Sequence, residues 1–169
     1  MAELGWTKDS VRSDTLPLML LVDAANVIQR GLEKRLSQLK LSVPQQRILT
    51  LVYFAKEKLT PSLLAALLLQ EAHSVSGLLN RLEDRDLIAR TRDRTDRRVV
   101  WVDLTTAGRE VAEEATRIVH ATALELDPVL RGPKSEAVLA VVSKARDRSF
   151  KIAGIREDVR EKGLQRVWG

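Results

Sequence analysis

The sequence predicts a mainly α fold with a minor β element: a winged helix-turn-helix lobe carried between long N- and C-terminal helices. Three observations lead there. Apolar residues recur at spacings of three and four over most of the chain, the mark of amphipathic helices. Between Leu87 and Leu104 the period changes to short, β-branched alternation. Inside that stretch lies Arg92-Asp93-Arg94-Thr95-Asp96-Arg97-Arg98, too polar to enter any core, so the two halves read as strands joined by a charged tip.

The first helix is expected from Thr15 to about Leu39, with Pro17 tolerated in its opening turn. Leu20, Leu21, Ala24, Val27, Ile28, Gly31 and Leu32 share one side of it. At some 24 residues it would be roughly 36 Å long, which suits a helix lying against a partner better than one inside a small domain. A capping box, Ser42-Val43-Pro44-Gln45, opens the second helix, whose buried side is Ile48, Leu49, Val52 and Tyr53. Thr60-Pro61 caps a short third helix with Leu63, Leu64, Leu67 and Leu68. A fourth starts at His73 or Ser74 and carries Val75, Leu78, Leu79 and Leu82. The few residues between the third and fourth make a helix-turn-helix.

The strands are placed at Leu87–Thr91 and Val99–Leu104. Helical pattern resumes after Thr105 and stops at Pro128 and Gly132-Pro133; a last helix spans Ser135 to Ala153. The charged tail, residues 154–169, has no assigned order.

Composition narrows the function. The chain has 169 residues, 44% of them apolar, enough for one packed domain plus an assembly element. The formal net charge of +5 is too modest to argue nucleic-acid binding by itself, so the placement of charge matters more than its sum. There is no cysteine, which removes disulfides, thiolate metal sites and thiol redox sensing. No run approaches the roughly 18–20 apolar residues of a membrane span, and no basic segment leads into Leu16–Val22. The expected location is the cytoplasm, with no membrane partner.

With three helices, a recognition-type helix, a hairpin and two further helices in order, residues 41–108 resemble the MarR family of transcriptional regulators. Four segments carry the likeness. Leu59-Thr60-Pro61-Ser62-Leu63-Leu64-Ala65 is similar to the start of the family's third helix, and Ser74-Val75-Ser76-Gly77-Leu78-Leu79-Asn80-Arg81-Leu82-Glu83 to its recognition helix. Asp96-Arg97-Arg98 matches the wing's Asp-x-Arg, and Leu104-Thr105-Thr106-Ala107-Gly108 the Leu-Thr-x-x-Gly that follows it. Two positions depart from the pattern. Asp86 stands where the family usually has glycine, and Gly77 where relatives often carry a longer polar or basic side chain.

The residues argue in the same direction. A helix entering the major groove needs short polar side chains near its N-terminus, and His73, Ser74, Ser76, Gly77 and Asn80 supply them, with Arg81 able to reach phosphate. From Arg90 to Arg98 there are five arginines and two aspartates, so Arg92, Arg94, Arg97 and Arg98 form a cationic finger suited to a minor groove. Asp96 is placed to hold Arg98 in a charge-assisted pair. The bland alternatives are a solvated helix side and a solvated hairpin.

Catalysis and metal binding find no support. The two histidines, His73 and His120, fall on different helices, and carboxylate neighbours such as Glu113 and Glu114 point to different helix sides. No cofactor is implied.

The resemblance further implies a two-fold homodimer built from residues 1–40 and 105–153, with residues 41–104 as the DNA-binding lobe; the apolar stripes agree. It also implies a small aromatic or phenolic effector held between the dimer helices and the lobe, where Leu20, Ala24, Leu49, Val52, Tyr53 and Phe54 are the candidate walls, although plain core packing accounts for those residues equally well. The function expected is that of a homodimeric regulator, a repressor sooner than an activator, on double-stranded DNA with a pseudo-palindromic operator. The competing reading is a winged-helix adaptor whose wing binds an acidic protein partner.

Overall fold

The computed structural model describes residues 8–130, 132, 135–154 and 157–168. Helix α1 (Lys8–Leu36) leads through a short 3-10 turn (Ser37–Leu39) into α2 (Val43–Phe54), α3 (Pro61–Leu68) and α4 (Ala72–Glu83). Strands β1 (Ile88–Arg92) and β2 (Val100–Leu104) follow, then α5 (Thr106–Leu130), α6 (Ser135–Ala153) and α7 (Glu157–Trp168). The mainly α winged-helix architecture read from the sequence is present.

Local chemistry explains the boundaries. Ser42 Oγ accepts from the Gln45 amide and the Gln45 side chain accepts from the Ser42 amide, closing the capping box that starts α2. Thr60 Oγ1 accepts from the Leu63 amide at 3.3 Å and Pro61 occupies the first turn of α3, where its missing N–H costs nothing. Three loops in the lobe turn on residues in the left-handed region that are not glycine: Lys40 (φ 53°), Leu69 (φ 57°) and Asp86 (φ 55°). After each, an amide reaches back five residues to a helical carbonyl, Leu41 to Leu36, Gln70 to Ala65 and Leu87 to Leu82.

Strands β1 and β2 are antiparallel with Ile88 opposite Leu104 and Arg92 opposite Val100. Leu59 adds a single bridge to Val102, whose amide donates to the Leu59 carbonyl at 2.9 Å. That ties the base of the wing to the residue just ahead of the helix-turn-helix. The core lies beneath it. Leu36, Ile48, Leu49, Leu59, Leu64, Leu79, Leu82, Ile88 and Val102 are almost wholly buried, each contributing roughly 1.5–3 kcal/mol on leaving water.

Gly108 shows why the segment after the wing has the form it has. A Cβ there would lie 1.7 Å from the Leu87 carbonyl oxygen, so only glycine lets α5 approach the end of α4 this closely. Thr105 supports the same junction: its hydroxyl donates to the Asp86 carbonyl at 2.6 Å and accepts from the Gly108 amide at 2.9 Å.

Two expectations are corrected and one open question is answered. The first helix begins at Lys8 rather than Thr15, so Pro17 lies inside it. The helix after the wing continues past Pro128 to Leu130. The tail, left without assigned order, forms α7, which packs on α3 and α2. Gly163 sits on Leu63 and Leu67, Val167 is 2% exposed, and the Trp168 ring lies 5.1 Å from that of Phe54. The Lys56 amide donates to the Arg166 carbonyl at 2.9 Å.

Outside the lobe much apolar surface is uncovered. Leu18, Met19, Leu20, Val27, Leu139, Val141 and Ile152 are each more than half exposed on α1 and α6. A cleft of about 510 Å³ between these helices is lined only by apolar residues, Pro17, Leu20, Leu21, Ala137, Val138, Val141 and Val142. Among the described residues no single helix is long and apolar enough to cross a membrane.

Candidate nucleic-acid interface

Helix α4 buries Val75, Leu78, Leu79 and Leu82 in the lobe, which fixes its opposite side outward. By helical spacing His73, Gly77 and Asn80 run down the middle of that outer side, with Ser74, Ser76 and Arg81 flanking. Glu71 is the N-cap and makes no side-chain cap bond, so no side chain of the cap blocks the first amides of α4. Ser74 Oγ and His73 Nε2 are 3.3 Å apart.

Two of these side chains are held. The Arg81 side chain folds back over the preceding turn, its Nε donating to the Gly77 carbonyl at 3.1 Å. Asn80 is held from the wing: its Oδ1 accepts from Arg90 Nη2 at 2.8 Å. The same Arg90 guanidinium grips Glu83, Nε to Oε2 at 2.9 Å with a second, shorter bond from Nη2, while the Arg90 amide donates to Oε1 at 3.1 Å. This hydrogen bonding holds the Glu83 carboxyl below its ordinary range. Arg90 thus locks the first strand of the wing to the recognition helix.

The wing tip is organised by Asp93. Its Oδ1 accepts from the Thr95 amide at 2.8 Å, the Asp96 amide at 2.9 Å and the Thr95 hydroxyl. Its Oδ2 accepts from the Trp101 indole Nε1 at 2.8 Å. Four donors on one carboxylate hold its pKa well below the usual carboxylate range. Around this knot Arg92, Arg94, Arg97 and Arg98 are exposed. Asp96 differs from expectation in detail. Its Oδ1 accepts from the Arg98 backbone amide at 3.0 Å, and the guanidinium Nε is 3.8 Å away, so Asp96 shapes the turn rather than forking Arg98. The Arg98 side chain is 95% exposed.

Arg90, Asp93 and Trp101, whose hydrogen bonds order the candidate site, are positions that sequence reasoning did not single out. A signal existed for one: Asp93-Arg94-Thr95 has the spacing of an Asx-turn, in which an aspartate accepts from the amide two residues on.

Residues 39–99 match the model of the MarR family. That span holds α2, α3, α4 and the wing up to β2.

Solved structures agree with that match. MepR of S. aureus in complex with DNA superimposes with a TM-score of 0.73 at 26% identity, over 77% of this chain and 96% of MepR. CouR from Rhodococcus jostii RHA1, bound to p-coumaroyl-CoA, gives a TM-score of 0.63 at 27% identity, over 79% of this chain and 89% of CouR. The transcriptional regulator BldR from Sulfolobus solfataricus shares the fold, with a TM-score of 0.67 at 23% identity over 85% and 99% of the two chains. No curated protein matches the sequence at a significant level. The likeness is to DNA-binding transcriptional regulators.

In this fold the candidate effector residues are dispersed. Leu49 is fully buried, and Val52 and Tyr53 pack half-buried against the core. Phe54 is 37% exposed and lies between Tyr53 and Trp168. Leu20 lines the cleft shared with α6, and Ala24 is exposed on α1. Among the described residues no three His, Asp or Glu side chains come together as metal ligands.

Proposed function

We propose that this chain acts as a MarR-family homodimer that binds a pseudo-palindromic operator and represses transcription, with α4 in the major groove and the wing in the minor groove. The observation that carries the reading is the coupling of α4 to the wing. Arg90 bonds Asn80 and Glu83, so groove helix and arginine finger present to a duplex as one rigid body. His73, Ser74, Ser76, Gly77, Asn80 and Arg81 provide the groove side, and Arg92, Arg94, Arg97 and Arg98 the finger, with Asp96 shaping its turn.

The homodimer rests on the uncovered apolar sides of α1 and α6, which a second copy would bury. Residues 1–40 and 105–153 then serve assembly, and residues 41–104 DNA. Two-fold symmetry places two recognition helices about one helical turn of DNA, roughly 10 bp, apart. Repression relieved by a small aromatic or phenolic effector is the finer part of the proposal. It is supported by the likeness to CouR with its bound p-coumaroyl-CoA, and by Leu20, Ala24, Val52, Tyr53 and Phe54 having surface left to offer a ligand. The protein is read as a binding regulator without catalysis, acting in the cytoplasm.

The test is selection of bound duplexes from a random pool, with light scattering on the same sample. A dimer mass and an enriched inverted repeat are expected, with affinity falling steeply as salt rises. A monomer with no preference among duplexes overturns the proposal, and capture of an acidic protein instead would point to an adaptor.

A further inference from the structure

Gly77 occupies the middle of the outward side of α4 and leaves the helix bare there. The nearest atom to a Cβ built on it is Arg81 Nη2, at 3.7 Å. The Arg81 guanidinium therefore lies where a residue 77 side chain would otherwise stand, drawn from the flank onto the centre of the face. One bond fixes it, from Nε to the Gly77 carbonyl at 3.1 Å. Among the described residues Arg81 has no other hydrogen bond or ion pair, so its two terminal nitrogens remain free as a planar pair of donors. A guanidinium tethered at Nε presents that pair along the edge that matches two adjacent acceptors.

The remaining candidates on the face are less equipped to choose a base. Asn80 reads adenine only by offering carbonyl and amide together, and its Oδ1 is already engaged by Arg90 at 2.8 Å. Ser74 and Ser76 carry hydroxyls, which accept or donate and so discriminate weakly. His73 stands at the very start of the helix.

We propose that Arg81, seated over Gly77, is the base-specifying residue of the recognition helix and reads one guanine in each half-site through O6 and N7. This rests on the DNA-binding reading above and names the contact that sets its specificity. Arg81 is then a base reader rather than a phosphate anchor, and Gly77 is what allows it to be one. A longer side chain at position 77 would take the same space and push the guanidinium aside.

The experiment uses the full-length protein and a duplex selected by the wild type, plus duplexes altered at each half-site position in turn. Wild type is expected to lose about tenfold or more in affinity when one particular G·C pair is replaced. Arg81→Ala should lose a similar factor on the selected duplex, become indifferent to that pair, and keep its preferences elsewhere. Gly77→Gln should behave like Arg81→Ala. Both positions are on an exposed helix side, and circular dichroism confirms that each variant is folded. If Arg81→Ala weakens all duplexes equally and lowers the salt slope by about one, Arg81 is a phosphate contact and the proposal fails while DNA binding stands. If the wild type binds no duplex, the DNA reading itself fails and this assignment with it.

Discussion

The indole Nε1 of Trp101 donates to Asp93 Oδ2 at 2.8 Å, joining the second strand of the wing to the turn at its tip. The carboxylate that accepts this bond also takes the Thr95 and Asp96 amides. One side chain therefore decides whether four exposed arginines are held on a shaped loop or on a loose one.

Asp93→Ala should leave the fold intact and loosen the tip. Trp101 emission is expected to shift as its indole loses its partner, and affinity for a duplex selected by the wild type to fall several-fold. Normal affinity with altered emission would mean that the tip's shape is not used. The pH dependence has a definite sign. The folded pKa of Asp93 is depressed, so its contribution is complete above the ordinary aspartate value of about 3.9 and is lost only as pH falls through the lower folded value. An indole N–H resonance for Trp101 that is steady from pH 7 to pH 4, and moves only below that, is the expected result.

Gly108→Ala should be among the most damaging single substitutions in the lobe. Its methyl would overlap the Leu87 carbonyl oxygen and carbon, at 1.7 Å and 2.6 Å, and both are backbone atoms. Overpacking of this kind costs about 3 kcal/mol or more. In a chain of this size that lowers Tm by roughly 6–12 °C, readable by thermal melting. A neutral result would show that α5 can shift away from the end of α4 at little cost.

What was legible in the sequence was what local chemistry decides. Ser42 with Gln45 and Thr60 with Pro61 announce helix starts because cap and helix are neighbours in the chain. The outer side of α4 was readable because its buried leucines recur at helical spacing. Arg81 resting on Gly77 and Arg90 gripping Glu83 were not, since residue types do not say which way a long side chain folds. Helix α7 was hidden for a related reason. Its anchor is small, Gly163, Leu164, Val167 and Trp168 in a charged segment, and its receiving surface is some hundred residues earlier. Pro17 misleads outright, because a proline suits a helix start and yet lies inside α1.

Asp86→Gly is expected to stabilise the protein. Asp86 closes α4 at φ 55°, a conformation that costs a residue with a Cβ about 1–2 kcal/mol. Glycine removes that cost and gives back roughly 0.5–1 kcal/mol through the freedom of the unfolded chain. A net gain of about 0.5–1 kcal/mol should appear as a higher urea midpoint with an unchanged slope. The Asp86 carbonyl, which accepts from Thr105, is kept by the substitution. A loss of stability would mean that the Asp86 carboxylate itself makes a favourable interaction.

Undocking α7 has its own reporter. The Lys56 amide donates to the Arg166 carbonyl at 2.9 Å, so its hydrogen exchange follows the attachment of α7 to the end of α2. Val167 is the buried peg of that attachment, 2% exposed, whereas Trp168 is 57% exposed. Val167→Ala removes two methyl groups at about 0.8 kcal/mol each and leaves a small void, about 2 kcal/mol in all. Exchange at Lys56 should quicken by more than tenfold, while amides in the middle of α2 and α4 hold their rates. Trp168→Ala should quicken it less, because much of that ring is in water already. Equal acceleration throughout the lobe would show that α7 is part of the cooperative core rather than a strap that opens on its own.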